Sequence, residues 1–204
     1  MSSSKNYKDS LYENFRDPSS AFSNETRGFF YDLATEFISK SKENSGQQWY
    51  EDRETVKGIL LLLYTWNFAA KETKKLNFRN VGKAIQSVKG DLISLENEKI
   101  TTVDLSASST IEKVFDKFKP LFGQTGTSKA LSLLNPCLFV MWDTAIRRRL
   151  NKQLIQGIGY GRSGKQYVMF LKGIQRIIKD YNLESKLSSG ANIAKRIVMN
   201  KDIP

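Results

Sequence analysis

Apolar residues recur every three to four positions through most of this chain and almost nowhere alternate with period two, so the fold open to it is all-α. From Ala21 to Lys42 the residues Phe22, Phe29, Phe30, Leu33, Ala34, Phe37 and Ile38 fall on helical spacing, and Asn44-Ser45-Gly46 ends the segment. Trp49 to Ala70 starts amphipathic and becomes apolar on nearly all sides, which predicts a central helix covered by its neighbours, with Trp66 in the core. Its run Ile59 to Ala70 is interrupted by Thr65 and Asn67 and is too short to span a bilayer. Leu76 to Leu95 reads as one or two helices broken near Gly90, followed by an exposed connection from Glu96 to Thr102.

Capping signals place two more helices. In Ser109-Thr-Ile-Glu112 the serine oxygen can accept an orphan amide while the glutamate reaches back, opening a helix with Ile111, Val114, Phe115 and Phe118 on one face and Pro120 at its end. Ser163-Gly-Lys-Gln166 is a second box, opening a helix lined by Tyr167, Phe170, Leu171, Ile174, Ile177, Ile178 and Tyr181, with Lys165, Lys172, Arg176 and Lys179 on its polar face. Gly157, Gly159 and Gly161 around Tyr160 mark a loop before it, and Ser189-Gly190 precedes a last helix through Val198. Residues 1–20, rich in Ser, Asn and charge, read as a polar tail or a loosely docked helix, and residues 21–204 as a single helical domain or two small helical lobes sharing a cleft.

Charge and missing residue types limit the chemistry. Thirty-two Lys and Arg against 21 Asp and Glu give a formal charge of +11, which suits a polyanion: nucleic acid first, an acidic membrane surface second, a merely solvated surface otherwise. With one cysteine, Cys137, there is no intrachain disulfide, four-cysteine zinc site or four-cysteine iron–sulfur cluster. With no histidine, the Ser-His and Cys-His pairs, the usual zinc and haem ligands and the commonest general base are also excluded. Catalysis would rest on carboxylates, lysine, tyrosine or backbone amides, with no metal and no cofactor. The polar N-terminus lacks the apolar core of a signal peptide, so the expected location is intracellular, cytoplasmic or DNA-associated rather than secreted.

Most of the chemistry lies between Leu121 and Leu150. Phe122-Gly-Gln-Thr-Gly126 predicts a tight connection between the helix ending near Pro120 and another starting at Thr127 or Ser128. Gly123 and Gly126 permit close approach, and the amides of the following helix start could hold a phosphate, although an ordinary αα-hairpin turn has the same glycines. Asn135-Pro136 stops that second helix, Cys137 to Trp142 is an apolar passage, and Asp143 stands as N-cap of a helix beginning Thr-Ala-Ile-Arg. Arg147, Arg148 and Arg149 cannot all point one way on a helix, so at least one is left to contact phosphate and another the protein.

In G-T-S-K129-A followed by F-V-M-W-D143-T144-A-I146-R-R148, this stretch resembles the helix-hairpin-helix DNA glycosylases of the endonuclease III and 8-oxoguanine glycosylase type. The resemblance covers about thirty residues. It implies two helical lobes flanking a cleft and excision of a damaged base from DNA; the expected partner is DNA, with no membrane, and the expected state is a monomer. It also implies that Lys129 attacks the sugar C1′ of a flipped nucleotide, with accompanying AP-lyase activity, while Asp143 supports the cationic sugar. A second register puts Ser128 at the lysine position. Gly123, Gly126, Thr127, Ser128, Arg147 and Arg148 would then hold the DNA backbone, with Phe139, Trp142 and Tyr160 around the extruded base and Trp66 a further candidate for stacking. The alternative is a non-catalytic helical DNA- or RNA-binding protein that keeps the hairpin and its charge.

Overall fold

The computed structural model describes residues 26–66, 75–143 and 163–180. Among them every regular element is helical and there is no strand: α1 Thr26–Ser45, α2 Arg53–Trp66, α3 Phe78–Gln86, α4 Lys89–Ser94, α5 Ser109–Leu134 and α6 Gly164–Asp180, with 3-10 turns at Gly46–Glu51 and Leu105–Ala107. The fold is therefore all-α, as the periodicity requires. The polar tail, the glycine loop around Tyr160 and the last helix predicted from Ser189 lie outside the described residues.

Gly46 opens the 3-10 turn at φ +50, a conformation costly for residues with a Cβ, and the turn sends the chain back so that α2 packs along α1. The two backbones meet closely at Gly58, where a Cβ would lie 2.8 Å from Ala34 O. Trp49, expected at the start of the central helix, instead sits in the turn and is fully buried. The helix begins four residues later because Asp52 adopts an extended backbone and its Oδ1 accepts the Glu54 amide at 2.8 Å, an N-cap geometry. Ser41 Oγ and Thr55 Oγ1 both donate to Trp49 O, at 2.9 and 2.6 Å, while Trp49 Nε1 donates to Glu96 Oε1 at 2.7 Å and Tyr50 OH to Leu92 O at 3.1 Å. One buried turn thus ties α1 and α2 to the end of α4.

The break predicted near Gly90 falls at Ser87 and Val88, and Gly90 lies inside α4. The connection after Leu95 is exposed or half-exposed except at Ile100, and it is anchored. Ile100 is buried, its N–H bonds Cys137 O at 2.9 Å, and the Asn135 side chain gathers the row of carbonyls before it. Asn135 Nδ2 donates to Leu95 O, Glu96 O and Glu98 O at 2.8, 3.2 and 3.1 Å, and Oδ1 accepts from Cys137 N and Leu138 N at 3.0 and 3.2 Å. The residue that ends α5 therefore also fixes the passage after it.

Two expectations about α5 need correction. The box at Ser109 does not form: the flanking residue is Ser108, with no side-chain cap bond, so Ser109 already stands inside the helix. Nor does Pro120 end the helix. The helical path continues to Phe122 and is broken at Gly123, whose φ of 68 and ψ of 172 belong to a region open essentially to glycine alone. The box at Ser163 forms as the sequence dictates, with Gln166 Oε1 accepting the Ser163 amide at 3.0 Å and Ser163 Oγ accepting the Gln166 amide at 3.4 Å. Buried apolar side chains from all six helices belong to one continuous core.

Candidate functional site

Gly123 redirects α5 and drives its final turns into the core. Every residue from Gly126 to Asn135 is buried, the polar Thr127, Ser128 and Lys129 among them. Lys129 is thus no surface lysine; it is 8% exposed. Its Nζ donates to Trp66 O at 2.6 Å and lies 5.5 Å from the centre of the Trp66 ring. Trp66 is the last described residue of α2, and its carbonyl oxygen is a hydrogen-bond acceptor for the ammonium. The Trp66 ring packs on Tyr31 at 5.7 Å, and burial, with Asp32 nearby, pushes the Tyr31 hydroxyl up to about 12. Lys129 therefore reaches across from α5 to the meeting of α1 and α2.

The passage after Asn135 turns over residues 136–138, where the Leu138 and Phe139 amides bond back to Asn135 O, and it is buried from Leu138 to Trp142. Its backbone polar groups must find partners there. Tyr167 OH donates to Val140 O at 2.8 Å, and Trp142 N donates to Ser128 Oγ at 2.9 Å while that hydroxyl donates to Thr125 O at 3.0 Å. Complete burial holds the Tyr167 hydroxyl far above its ordinary value, so it remains a donor. The Trp142 ring stacks on Phe170 at 5.5 Å and leans on Tyr167 at 5.6 Å, and Phe139 stacks on Tyr167 at 6.5 Å.

These contacts sort the residues singled out in the sequence. Lys129 follows Ser128 and Asp143 follows Trp142, so the Ser128–Trp142 hydrogen bond joins the two stretches of backbone that carry the candidate catalytic residues, while the Lys129 ammonium itself is directed at Trp66 O. Asp143 is half-exposed there. Phe139 and Trp142, assigned to a base pocket, are 1% and 0% exposed and have their faces against α6, so they support the passage from within the core. Gly123 holds the break and is exposed, whereas Gly126 is buried inside the helix beyond it. Thr127 Oγ1 is buried with no hydrogen-bond partner among the described residues. Arg147, Arg148 and Tyr160, together with the helix that Asp143 was expected to cap, lie outside the described residues.

Sequence reasoning missed the two residues that organise the junction, Trp66 through its carbonyl and Asn135 through its carboxamide. Asn135 carried a signal, since an asparagine that stops a helix before proline must place its amide somewhere. The Trp66 carbonyl carried none. Among the described residues no group of three or more His, Cys, Asp or Glu could hold a metal, and no helix is long and apolar enough to cross a membrane. Comparison with protein-family models, curated proteins and solved structures gives no match.

Proposed function

We propose that this chain is a DNA N-glycosylase of helix-hairpin-helix type, with Lys129 as the nucleophile and Asp143 as the carboxylate that stabilises the cationic sugar. The observation that supports the reading is the hydrogen bond from Trp142 N to Ser128 Oγ, which ties together the chain neighbours of Lys129 and Asp143, two residues with thirteen others between them. Breaking the glycosidic bond builds oxocarbenium character on the sugar, and a fixed carboxylate beside it lowers that barrier. In the covalent route the lysine nitrogen bonds C1′ as the C1′–N bond breaks, and the base leaves with the bonding pair and a proton. Attack requires Lys129 to shed its own proton and to release Trp66 O. The target nucleotide must first leave the stack.

The test uses borohydride trapping on duplex DNA carrying an abasic site, alongside excision assays on a panel of damaged bases. A covalent adduct is expected from the native protein and none from Lys129→Met, which keeps the length of the buried side chain. Asp143→Asn should fold and bind DNA, and lose about 100- to 1000-fold in excision rate. A native protein that binds DNA, traps nothing and excises nothing would overturn the reading. That outcome is the one expected of a non-catalytic helical DNA- or RNA-binding protein, a second reading favoured by the Trp66 carbonyl holding the Lys129 ammonium as a structural tie.

A further inference from the structure

We infer that the solvent face of α6 is a docking rail for the phosphodiester backbone of a nucleic acid, separate from the junction of Lys129 and Asp143. The inference rests on the proposed function only in taking nucleic acid as the partner.

The buried face of α6, formed by Tyr167, Phe170, Leu171, Ile174 and Ile178, is spent on the core and on the passage that ends at Asp143. Its exposed face carries Lys165, Lys172, Arg176 and Lys179. At 100° per residue these four lie within an arc of about 60°, and at 1.5 Å per residue they span about 21 Å along the axis. No acid occurs in the helix before Asp180, its last residue. Among the described residues Lys165, Lys172 and Lys179 make no ion pair, and the Arg176–Asp180 contact is long at 3.7 Å and solvated at both ends. Two further acids stand near the stripe: Asp104, hydrogen-bonded to Ser106 and beside Lys172, and Asp116, whose carboxylate meets the Gly164 amide next to Lys165.

Stability does not account for this pattern. Lys165 stands in the first turn, where the helix dipole disfavours a cation, and the acid at that end, Asp116 of α5, is engaged with the Gly164 amide. Asp116 Oδ1 already accepts the Gly164 amide at 2.9 Å and Gln166 takes that of Ser163, so an arriving anion would meet side chains rather than free backbone amides. A membrane is a poor occupant, because the apolar face that would enter lipid is locked in the core. An acidic protein is a poor one too: protein interfaces have an apolar centre, and the stripe offers only Met169, 41% exposed. A row of cations with no aromatic or apolar centre fits a repeating phosphate backbone.

The experiment measures binding of a fluorescent 20-base-pair duplex by anisotropy across a salt series, with the native protein and the variant K165Q/K172Q/R176Q/K179Q. The variant should bind about tenfold or more weakly at low salt, and the slope of log affinity against log salt should shrink by about 2 to 4. The control K40Q/K75Q/K83Q/K99Q removes four exposed cations from other elements and should leave the slope unchanged. An equal loss in both variants, or none in the first, overturns the rail. Vesicles rich in phosphatidylserine that bind better than DNA through the same four residues overturn the choice of partner. DNA bound through α6 by a protein that excises nothing sinks the glycosylase reading and leaves the rail standing; excision with an unchanged α6 variant does the reverse.

Discussion

Asn135 satisfies five backbone groups with one side chain, three carbonyls through its amide and two N–H groups through its oxygen. Leu95 O and Leu138 N also have backbone partners, but Glu96 O, Glu98 O and Cys137 N would each lose this one, at about 1 to 3 kcal/mol apiece before relaxation. Asn135→Ala should therefore destabilise the protein by roughly 3 kcal/mol or more, read from urea denaturation. Asn135→Asp should be worse still, because a carboxylate would face three carbonyl oxygens. Gly164 shows a different constraint at the same scale. A Cβ there would lie 2.7 Å from Glu112 Cα, backbone that cannot swing aside as a side-chain tip would. Gly164→Ala should cost about 1 to 3 kcal/mol by forcing α5 and α6 apart, again read as a shift in denaturation midpoint, and an unchanged midpoint would refute that close crossing. Ser128→Ala would remove the hydrogen bond from the Trp142 N–H and loosen the junction. In the proposed enzyme, excision should then fall by more than the stability loss alone explains.

Among the elements, Gly123 decides where the residues after it go. Its φ and ψ are open to glycine and strained for alanine, so Gly123→Ala should cost about 1 to 3 kcal/mol although a Cβ there would touch nothing. The helices themselves were legible in the sequence because apolar spacing is a local property, and the buried faces of α5 and α6 hold the residues that spacing picked out, apart from Tyr181, which lies outside the described residues. Boundaries were legible where one cap stood alone. Gln166 and Ser163 had no rivals and formed their box, whereas Ser108, Ser109 and Thr110 are three capping residues in a row, and local pattern does not choose among them. Pro120 and Gly123 competed similarly as helix stops, and the glycine with positive φ won. The junction was legible only in its parts. Lys129 and Asp143 could be named from the resemblance, but the Trp66 carbonyl is 63 residues from Lys129 in sequence, and no spacing rule links them.

At the scale of the whole molecule, the charge imbalance and the buried phenols set the conditions it tolerates. Burial raises the hydroxyls of Tyr31, Tyr50 and Tyr167 above their ordinary value of 10.0, Tyr31 to about 12 and the other two further. In the unfolded chain all three would ionise near the ordinary value. Their contribution to stability is complete below pH 10 and is lost as the pH climbs through the folded-state values, at up to roughly 1.4 kcal/mol per pH unit for each phenol. Urea midpoints should hold up to about pH 10 and then fall steeply, with phenolate absorbance from these three appearing only as the protein unfolds. Phenolate formation by all eight tyrosines in protein that is still folded would refute this. A slower chemistry acts on the same molecule. Asparagine ages when the next residue's backbone nitrogen attacks its side chain and closes a succinimide, and the nitrogen after Asn135 belongs to Pro136, which has no hydrogen to lose. The carboxamide whose conversion to a carboxylate would do most damage is thereby shielded from deamidation, so on long storage mass spectrometry should find conversion at Asn44, followed by Ser45, well before any at Asn135.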